Sequence, residues 1–556
     1  MTERIWLSHY PPGVPADVDV GVYPSLVALM EESFTRYAKR AAFHFMGRDL
    51  AYSELAYLSA AFAAYLQGLG LARGDRVAIM MPNVPQYPVA VAAILRAGYV
   101  LVNVNPLYTA RELEHQLKDS GTKAIVILEN FASTLEKCVA NTGVAHVVVC
   151  AMGDLLGPVK GAVVNWVVRK VKGMVPEFQL PAMVRFNAAI AQGRRGSFNK
   201  PVIGPDDVAV LQYTGGTTGV SKGAVLLHRN LVANVLQSEA WNLPAMRRIP
   251  AGEQPTGVCA LPLYHIFAFT ISMMLSLRLG GKTILIPNPR DIPAVLKALA
   301  SHRIHTFPAV SSLFSALVNH PDFGRVDWSH LTSSVGGGTA VLRGVAQQWL
   351  EKTGCAICEG YGLSETSPSV CCNPADITSH DGSIGPPLPN TWVKLLDDEG
   401  LEVALGQPGE IAVKGPQVMA GYWQRPDETA KVMTADGYLK TGDIGMMDAR
   451  GFFTIVDRKK DMILVSGFNV FPSELEDLVS EVPGVRECAC VGVPDGLTGE
   501  AVKLVLVKRD PTLTEDAVRA HCRANLTGYK QPKFIEFRTE LPKTPVGKIL
   551  RRALRD

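Results

Sequence analysis

The run Tyr213-Thr214-Gly215-Gly216-Thr217-Thr218-Gly219-Val220-Ser221-Lys222-Gly223 has the residue types of a polyphosphate cradle. Gly215, Gly216 and Gly219 allow backbone amides to approach an anion, while Thr214, Thr217, Thr218 and Ser221 bring hydroxyl donors. Lys222 adds positive charge. A P-loop reads G-x-x-x-x-G-K-[ST], but here Ser221 precedes the lysine and Gly223 follows it, so the spacing excludes that class. Taken alone, the stretch also fits a Gly/Thr-rich surface turn.

Other residues with chemical potential have plainer alternatives. Cys355 and Cys358 form a C-x-x-C followed by Cys371 and Cys372, but the second pair is adjacent rather than spaced, which argues against zinc. Cys488 and Cys490 alternate along an apolar run and fit the buried face of a strand. His265, between Tyr264 and Ile266, is either a buried structural histidine or a ring facing a ligand. Lys548 in a basic tail, and the charged run Asp457-Arg458-Lys459-Lys460-Asp461, would by themselves be solvated surface.

A phosphate cradle needs rigid elements beside it, and the pattern supplies them. Runs at 76–81, 124–128, 146–150 and 208–211 are short and rich in β-branched residues, with helix-like segments between them, which predicts parallel sheets. Leu55, Leu58, Phe62, Leu66 and Leu69 recur at helical spacing over 53–69, with Ser53 as the N-cap and Glu54 in the first turn. The texture changes near Gly451. After the 457–461 run, the remainder reads as short strands and two helices, which places a domain boundary there.

Length and charge bound the function. At roughly 150 residues per domain, 556 residues predict three or four units, or one large α/β domain and a smaller one. Hydrophobic residues are 47% and charged residues 19%, so the chain should fold throughout. The 55 basic and 52 acidic residues leave a net charge of +3, too slight for a nucleic-acid binder, so anions must be held locally. Residues 1–13 carry charge and two prolines where an export signal needs an apolar run. The most apolar stretch, 266–277, falls short of the roughly 20 residues of a spanning helix. A cytoplasmic protein with reduced thiols is expected.

Seven motifs fall in one order along the chain: the 213–223 cradle, PLYHIF at 262–267, VGGGTA at 335–340, EGYGLSET at 359–366, YLKTGDIG at 438–445, DRKKDMILVSGFNVFPSELE at 457–476 and LPKTPVGKILRR at 541–552. Together they resemble the adenylate-forming superfamily of acyl-CoA synthetases, luciferases and peptide-synthetase adenylation domains. VNVNPLYTARELEHQL, ALPLYHIFAFT and NPRDIP make the chain most similar to bacterial long-chain fatty acid-CoA ligases.

The resemblance implies a large α/β domain with several subdomains over 1–456 and a small mobile α+β domain over 457–556. It implies that ATP, a long-chain fatty acid and coenzyme A give acyl-CoA, AMP and diphosphate through an acyl-adenylate, for fatty acid activation and degradation. The rivals are an acyl-AMP ligase serving a carrier protein, a luciferase-like oxygenase, and a non-catalytic fatty-acid carrier. By the same resemblance, Thr214 through Lys222 hold the β- and γ-phosphates, and Glu365 with Thr214 binds Mg²⁺. Gly336, Gly337, Gly338, Glu359, Gly360, Tyr361 and Gly362 frame the adenine, Ser364 donates to the α-phosphate, and Asp443 with Arg458 takes the ribose. His265 orients the carboxylate and Lys548 joins it to the α-phosphate. Lys460 is the hinge, and Gly467, Phe468 and Asn469 serve the thioester step. Many relatives carry lysine where this chain has Leu464. Phe267, Phe269, Met273 and Met274 are candidates for the acyl pocket, with plain helix core as the alternative.

The stretch 161–175 predicts an amphipathic helix with Val163, Val164, Val167, Val168, Val171 and Met174 on one face and Asn165, Arg169 and Lys172 opposite. It fits either a membrane-surface helix with Trp166, Lys170 and Lys172 near headgroups, or a helix packed on its own domain. Expected partners are therefore the three substrates and the inner membrane surface, with a homodimer left open.

Overall fold

The computed structural model describes residues 4–214, 221–466, 468–496, 498–543 and 549–555. The expected site residues Gly215 to Val220, Gly467 and Lys548 lie outside them.

The β-branched runs form strands that are buried on both faces, as central parallel strands are. His146–Cys150, Thr122–Leu128, Arg76–Met80, Val100–Asn103 and Val208–Thr214 pair in parallel, in that order. Lys222–Leu227 then joins antiparallel to Val208–Thr214, opposing Thr214 with Lys222. A second eight-stranded sheet holds Thr256–Cys259, Lys282–Leu285, Thr306–Ala309, Ser333–Gly337 and Ile357–Gly362 in parallel. Its antiparallel edges are Ser369–Cys372 and Arg48–Ala51. Every residue of helix Gln86–Arg96 is buried, in a core shared with Tyr52–Gln67, His228–Met246 and Ala268–Leu275.

An antiparallel sheet of Trp392–Leu396, Gly409–Lys414, Leu439–Met447 and Phe453–Arg458 follows. The last sheet starts at Ile463–Val465 and carries Phe468–Val470, Gly499–Lys508, Val485–Asp495 and Phe534–Arg538, with helices Pro472–Ser480 and Glu515–Asn525 packed beside it. Its strands Val485–Asp495 and Gly499–Lys508 are 11 and 10 residues long, not short as predicted. Ladder pairing along their whole length, from Val485↔Lys508 to Asp495↔Gly499, extends them.

The helix expected over 53–69 is Tyr52–Gln67, and Ser53 is not its cap. Its first amides are satisfied from outside: Tyr52 donates to the Arg40 carbonyl and Ser53 to that of Ala38, both at 3.0 Å. No side-chain cap is needed when a neighbouring turn supplies the acceptors.

The amphipathic stretch folds as an α-helix over Pro158–Trp166 that continues as a π-helix over Val167–Val171. Val163, Val171 and Met174 share one face with Asn165 and Arg169 opposite, as expected, but Val168 is buried and Lys172 is exposed. Asn165 points inward and accepts the Gly153 amide at 2.7 Å, and Arg169 grips the buried Glu129 with two bonds of 2.8 Å. Val168 is buried beside them. Solvent meets an apolar ridge instead: Val159 (77% exposed), Val163 (56%), Trp166 (60%), Val171 (60%) and Met174 (50%). Among the described residues no helix is long and apolar enough to cross a membrane.

Candidate active site

Two neighbouring parallel strands, Ser333–Gly337 and Ile357–Gly362, end in glycine, and the turn after the second packs on the other sheet, the place where α/β sheets take ligands. Gly336 pairs with Glu359 and Gly337 with Gly360. A Cβ at Gly337 would lie 3.0 Å from the Phe267 ring and 3.2 Å from the Gly360 carbonyl, so only glycine fits without moving them. Gly338 has φ +78°, a left-handed conformation that glycine tolerates. The expected adenine frame and the first acyl-pocket candidate are therefore neighbours.

Glu365 sits in the short 3-10 turn Ser364–Thr366, which packs against both Val208–Thr214 and Lys222–Leu227. Its carboxylate is buried, and Oε1 accepts the Tyr422 hydroxyl at 2.8 Å. Its carbonyl accepts the Met419 amide at 2.8 Å. Burial pushes the Glu365 pKa up, opposed by the tyrosine donor. Lys222 pairs with Glu428 and lies 5.1 Å from the centre of the Tyr422 ring. One tyrosine thus stands between the candidate metal carboxylate and Lys222, the candidate phosphate ligand. Ser221 returns its hydroxyl to the Thr214 carbonyl at 2.8 Å, and Tyr213 donates to Asp119 at 2.7 Å. A Cβ at Gly223 would lie 3.0 Å from the Tyr213 ring.

Asp443 is buried in register with Arg458. It accepts the Tyr361 hydroxyl at 2.7 Å on one oxygen and faces Arg458 Nε at 3.1 Å with the other. Glu359 accepts the Val341 amide at 3.1 Å and meets His380 Nε2 at 2.8 Å, and burial raises its pKa. A cavity of about 200 Å³ beside Glu365 and Tyr422 is lined as well by Leu363, Leu439, Lys440 and Thr441.

His265 is half-buried, and its Nδ1 accepts the Phe267 amide at 3.4 Å. Its loop is tied down by a buried polar network. Asn83 holds Leu261 and Leu263, Tyr87 donates to the Leu263 carbonyl at 2.8 Å, and Gln212, next to Tyr213, donates to that of Tyr264 at 3.1 Å. The histidine loop is therefore fastened to strand Val208–Thr214, which leads into the candidate cradle. Phe269, Met273 and Met274 lie within the central core, on the π-helix Ala268–Leu275.

Phe468 is exposed and stacks on Tyr529, with ring centres 4.8 Å apart. Its strand pairs with Ile463–Val465, setting Asn469 opposite the exposed Leu464.

Sequence reasoning passed over Tyr422, Glu428, His380, Asn83 and Gln212. The signal for Asn83 and Gln212 was a polar side chain inside an apolar run, which must find buried partners. Tyr422 and Glu428 had no local signal, because antiparallel pairing of Gly421–Tyr422 with Lys222–Leu227 brings them in from some 200 positions away.

A profile described as AMP-binding enzyme matches residues 30–423, and one described as AMP-binding enzyme C-terminal domain matches 474–548. The chain belongs to the AMP-binding enzyme family. This AMP-binding enzyme is 55% identical over 555 residues to a long-chain-fatty-acid–CoA ligase of Escherichia coli O6:H1, covering 100% of this chain and 98% of the relative. It is 37% identical over 557 residues to the long-chain-fatty-acid–CoA ligase of Bacillus subtilis strain 168, at 100% and 98% coverage. Its fold matches the crystal structure of ATP-bound MatB from Rhodopseudomonas palustris with a TM-score of 0.79 and 29% identity, over 95% and 98% of the two chains. The AMP-binding enzyme thus has the expected mixed α/β architecture, a large domain followed by a small one.

Proposed function

We propose that this AMP-binding enzyme is a long-chain fatty acid–CoA ligase. The observation that carries the reading is the convergence of Thr214, Lys222 and Glu365 around Tyr422, beside the glycine-ended strands and Asp443. Full-length similarity to ligases of that name supports the substrate class.

A carboxylate is a poor acyl donor because its leaving group would be an oxide. In the first step a fatty-acid oxygen bonds to the α-phosphorus of ATP, the bond to the β-phosphate breaks, and diphosphate leaves. Negative charge gathers there, so positioned cations and fixed donors do most of the work. Lys222 with residues 214–221 holds the β- and γ-phosphates, releasing its grip on Glu428 to do so. Glu365 and Thr214 offer the hard oxygen ligands that suit Mg²⁺, which usually uses one or two carboxylates together with substrate phosphates. Mg²⁺ would supply charge neutralisation between the phosphates. Ser364 donates to the α-phosphate. Asp443 exchanges its Tyr361 contact for ribose hydroxyls with Arg458 reinforcing them, and Gly336, Gly337, Gly338 and 359–362 frame the adenine. His265 orients the carboxylate, already ionised with a reference pKa near 4, while Lys548 draws it to the α-phosphate.

In the second step the coenzyme A sulfur bonds to the acyl carbon, the carbon–oxygen bond to AMP breaks, and the thiol proton passes to solvent. Rotation of the last domain about Lys460 presents 467–469 to the thiol. Phe267, Phe269 and Met273 wall the acyl chain.

The test is stepwise. Palmitate or laurate should release diphosphate from ATP, and added coenzyme A should then release AMP and form the thioester. Adenylate that accumulates without responding to coenzyme A would establish the acyl-AMP ligase instead, and no fatty-acid-dependent diphosphate at all would establish the carrier.

The ridge of Val159, Val163, Trp166, Val171 and Met174 supports a peripheral position on the inner membrane surface. Lys160, Lys170 and Lys172 border it with positive charge, the composition of an interfacial helix. A ligase resting there would meet fatty acids where they partition.

A further inference from the structure

Arg551 opens the short helix Arg551–Leu554, three positions beyond Lys548. Its guanidinium is the hub of a cluster of three carboxylates. Nε donates to Glu476 Oε1 at 3.1 Å and Nη2 to Oε2 at 2.7 Å, a two-pronged grip. Nη1 donates to Asp457 Oδ1 at 3.1 Å and Asp461 Oδ2 at 3.4 Å. Asp457 is buried, and its other oxygen accepts the Ser473 amide at 2.8 Å. Burial opposes the charge on Arg551, but Glu476, Asp457 and Asp461 outweigh it and raise its pKa. Buried ion clusters seldom add net stability over apolar packing, so this one calls for a positional reason.

Its surroundings supply one. Asp457 and Asp461 bracket the crossover between domains, where the partners change. Lys459 reaches back to Asp398 at 2.7 Å and Glu410 at 3.3 Å, whereas the Lys460 carbonyl accepts from Arg555 at 3.5 Å. The described residues on either side of 544–548 are tied together. Lys543 bridges to Ile549, Leu550 donates its amide to Pro542 at 2.8 Å, and Lys543 meets Glu487 at 2.5 Å. Leu554 anchors the far side in an apolar cluster with Ala489, Val491 and Leu541.

We infer that Arg551 is a positioning residue for the adenylation step. It fixes the end of the lysine-bearing segment to helix Pro472–Ser480 through Glu476 and to the crossover through Asp457 and Asp461. The residues that follow Lys548 and the crossover then turn as one body when the domain swings in. This rests on the reading that Lys548 serves adenylation.

The experiment compares Lys548→Ala, Arg551→Met, Arg551→Lys and the double Lys548→Ala, Arg551→Met in the full chain. It reads palmitate-dependent diphosphate exchange and, separately, thioester formation from purified palmitoyl-AMP and coenzyme A. Arg551→Met should lower exchange by about 100-fold with a much smaller loss in the thioester step, and Arg551→Lys should recover part of it. The double variant should be no slower in exchange than Lys548→Ala alone, because Arg551 acts through the lysine. Equal loss of both steps, or an additive loss in the double variant, overturns the inference in favour of a purely structural role. Exchange lost in Lys548→Ala but kept in Arg551→Met overturns this inference alone, while exchange surviving Lys548→Ala overturns the reading of the lysine and this inference with it.

Discussion

The Tyr422 hydroxyl donates to Glu365 across 2.8 Å, and the same ring lies 5.1 Å from Lys222. A hydrogen bond to a charged group is worth about 1.5–3 kcal/mol. Tyr422→Phe should therefore raise the Mg²⁺ concentration for half-maximal diphosphate exchange by roughly tenfold or more. Titration of exchange against Mg²⁺ checks this, and an unchanged midpoint with intact folding would show that Tyr422 does not tune Mg²⁺ binding through Glu365.

Gly337→Ala tests whether the adenine frame and the acyl pocket share a wall. The new Cβ would press on the Phe267 ring at 3.0 Å. The expected outcome is a fall of about tenfold in kcat/KM for palmitate, corresponding to about 1.4 kcal/mol, with a smaller effect for a short-chain acid. Equal loss for both acids would place Phe267 outside the acyl pocket.

Much of this site was legible because its groups lie in contiguous motifs. EGYGLSET places Glu359, Tyr361 and Glu365 on one strand end and the turn after it, and local sequence carries that placement. Tyr422, His380 and the Asp457–Arg551 contact were not legible, since sheet pairing and domain packing decide which distant residues meet. The 161–175 ridge was half legible. Its amphipathicity was real, and Val163, Val171 and Met174 do share the exposed side, but the buried Glu129 and the Gly153 amide that turn Arg169 and Asn165 inward come from distant positions.

That ridge predicts membrane attachment. A Val163→Glu, Trp166→Glu variant should lose flotation with vesicles containing anionic lipid, while wild type floats and both share one melting curve. Equal flotation of the two would assign the ridge to another role. Val167, half-buried, is a poorer choice of probe.

Asp154, close to the same helix, sets a pH dependence. Burial pushes its carboxyl up to about 6, partly offset by the Ala151 amide donor. The folded value exceeds the unfolded one, near 3.9, so between about 4 and 6 the native state binds more protons. The contribution to stability is complete below the unfolded value and is lost as pH rises through about 6. Asp154→Asn keeps an acceptor for Ala151 and should raise the thermal midpoint at pH 7.5 by roughly 2 to 4 °C. The gain should vanish near pH 4. A gain independent of pH would point to packing rather than charge.

All ten cysteines are free thiols, and none is exposed. Burial pushes Cys259 up to about 12 and Cys138 to about 11, so few of their thiolates exist at neutral pH. Alkylating reagents can reach most of them only during transient openings of the fold. Cys259 beside the histidine loop and Cys490 in the last domain are thus built-in clocks, from which the breathing of each domain can be timed separately by mass spectrometry without introducing any label.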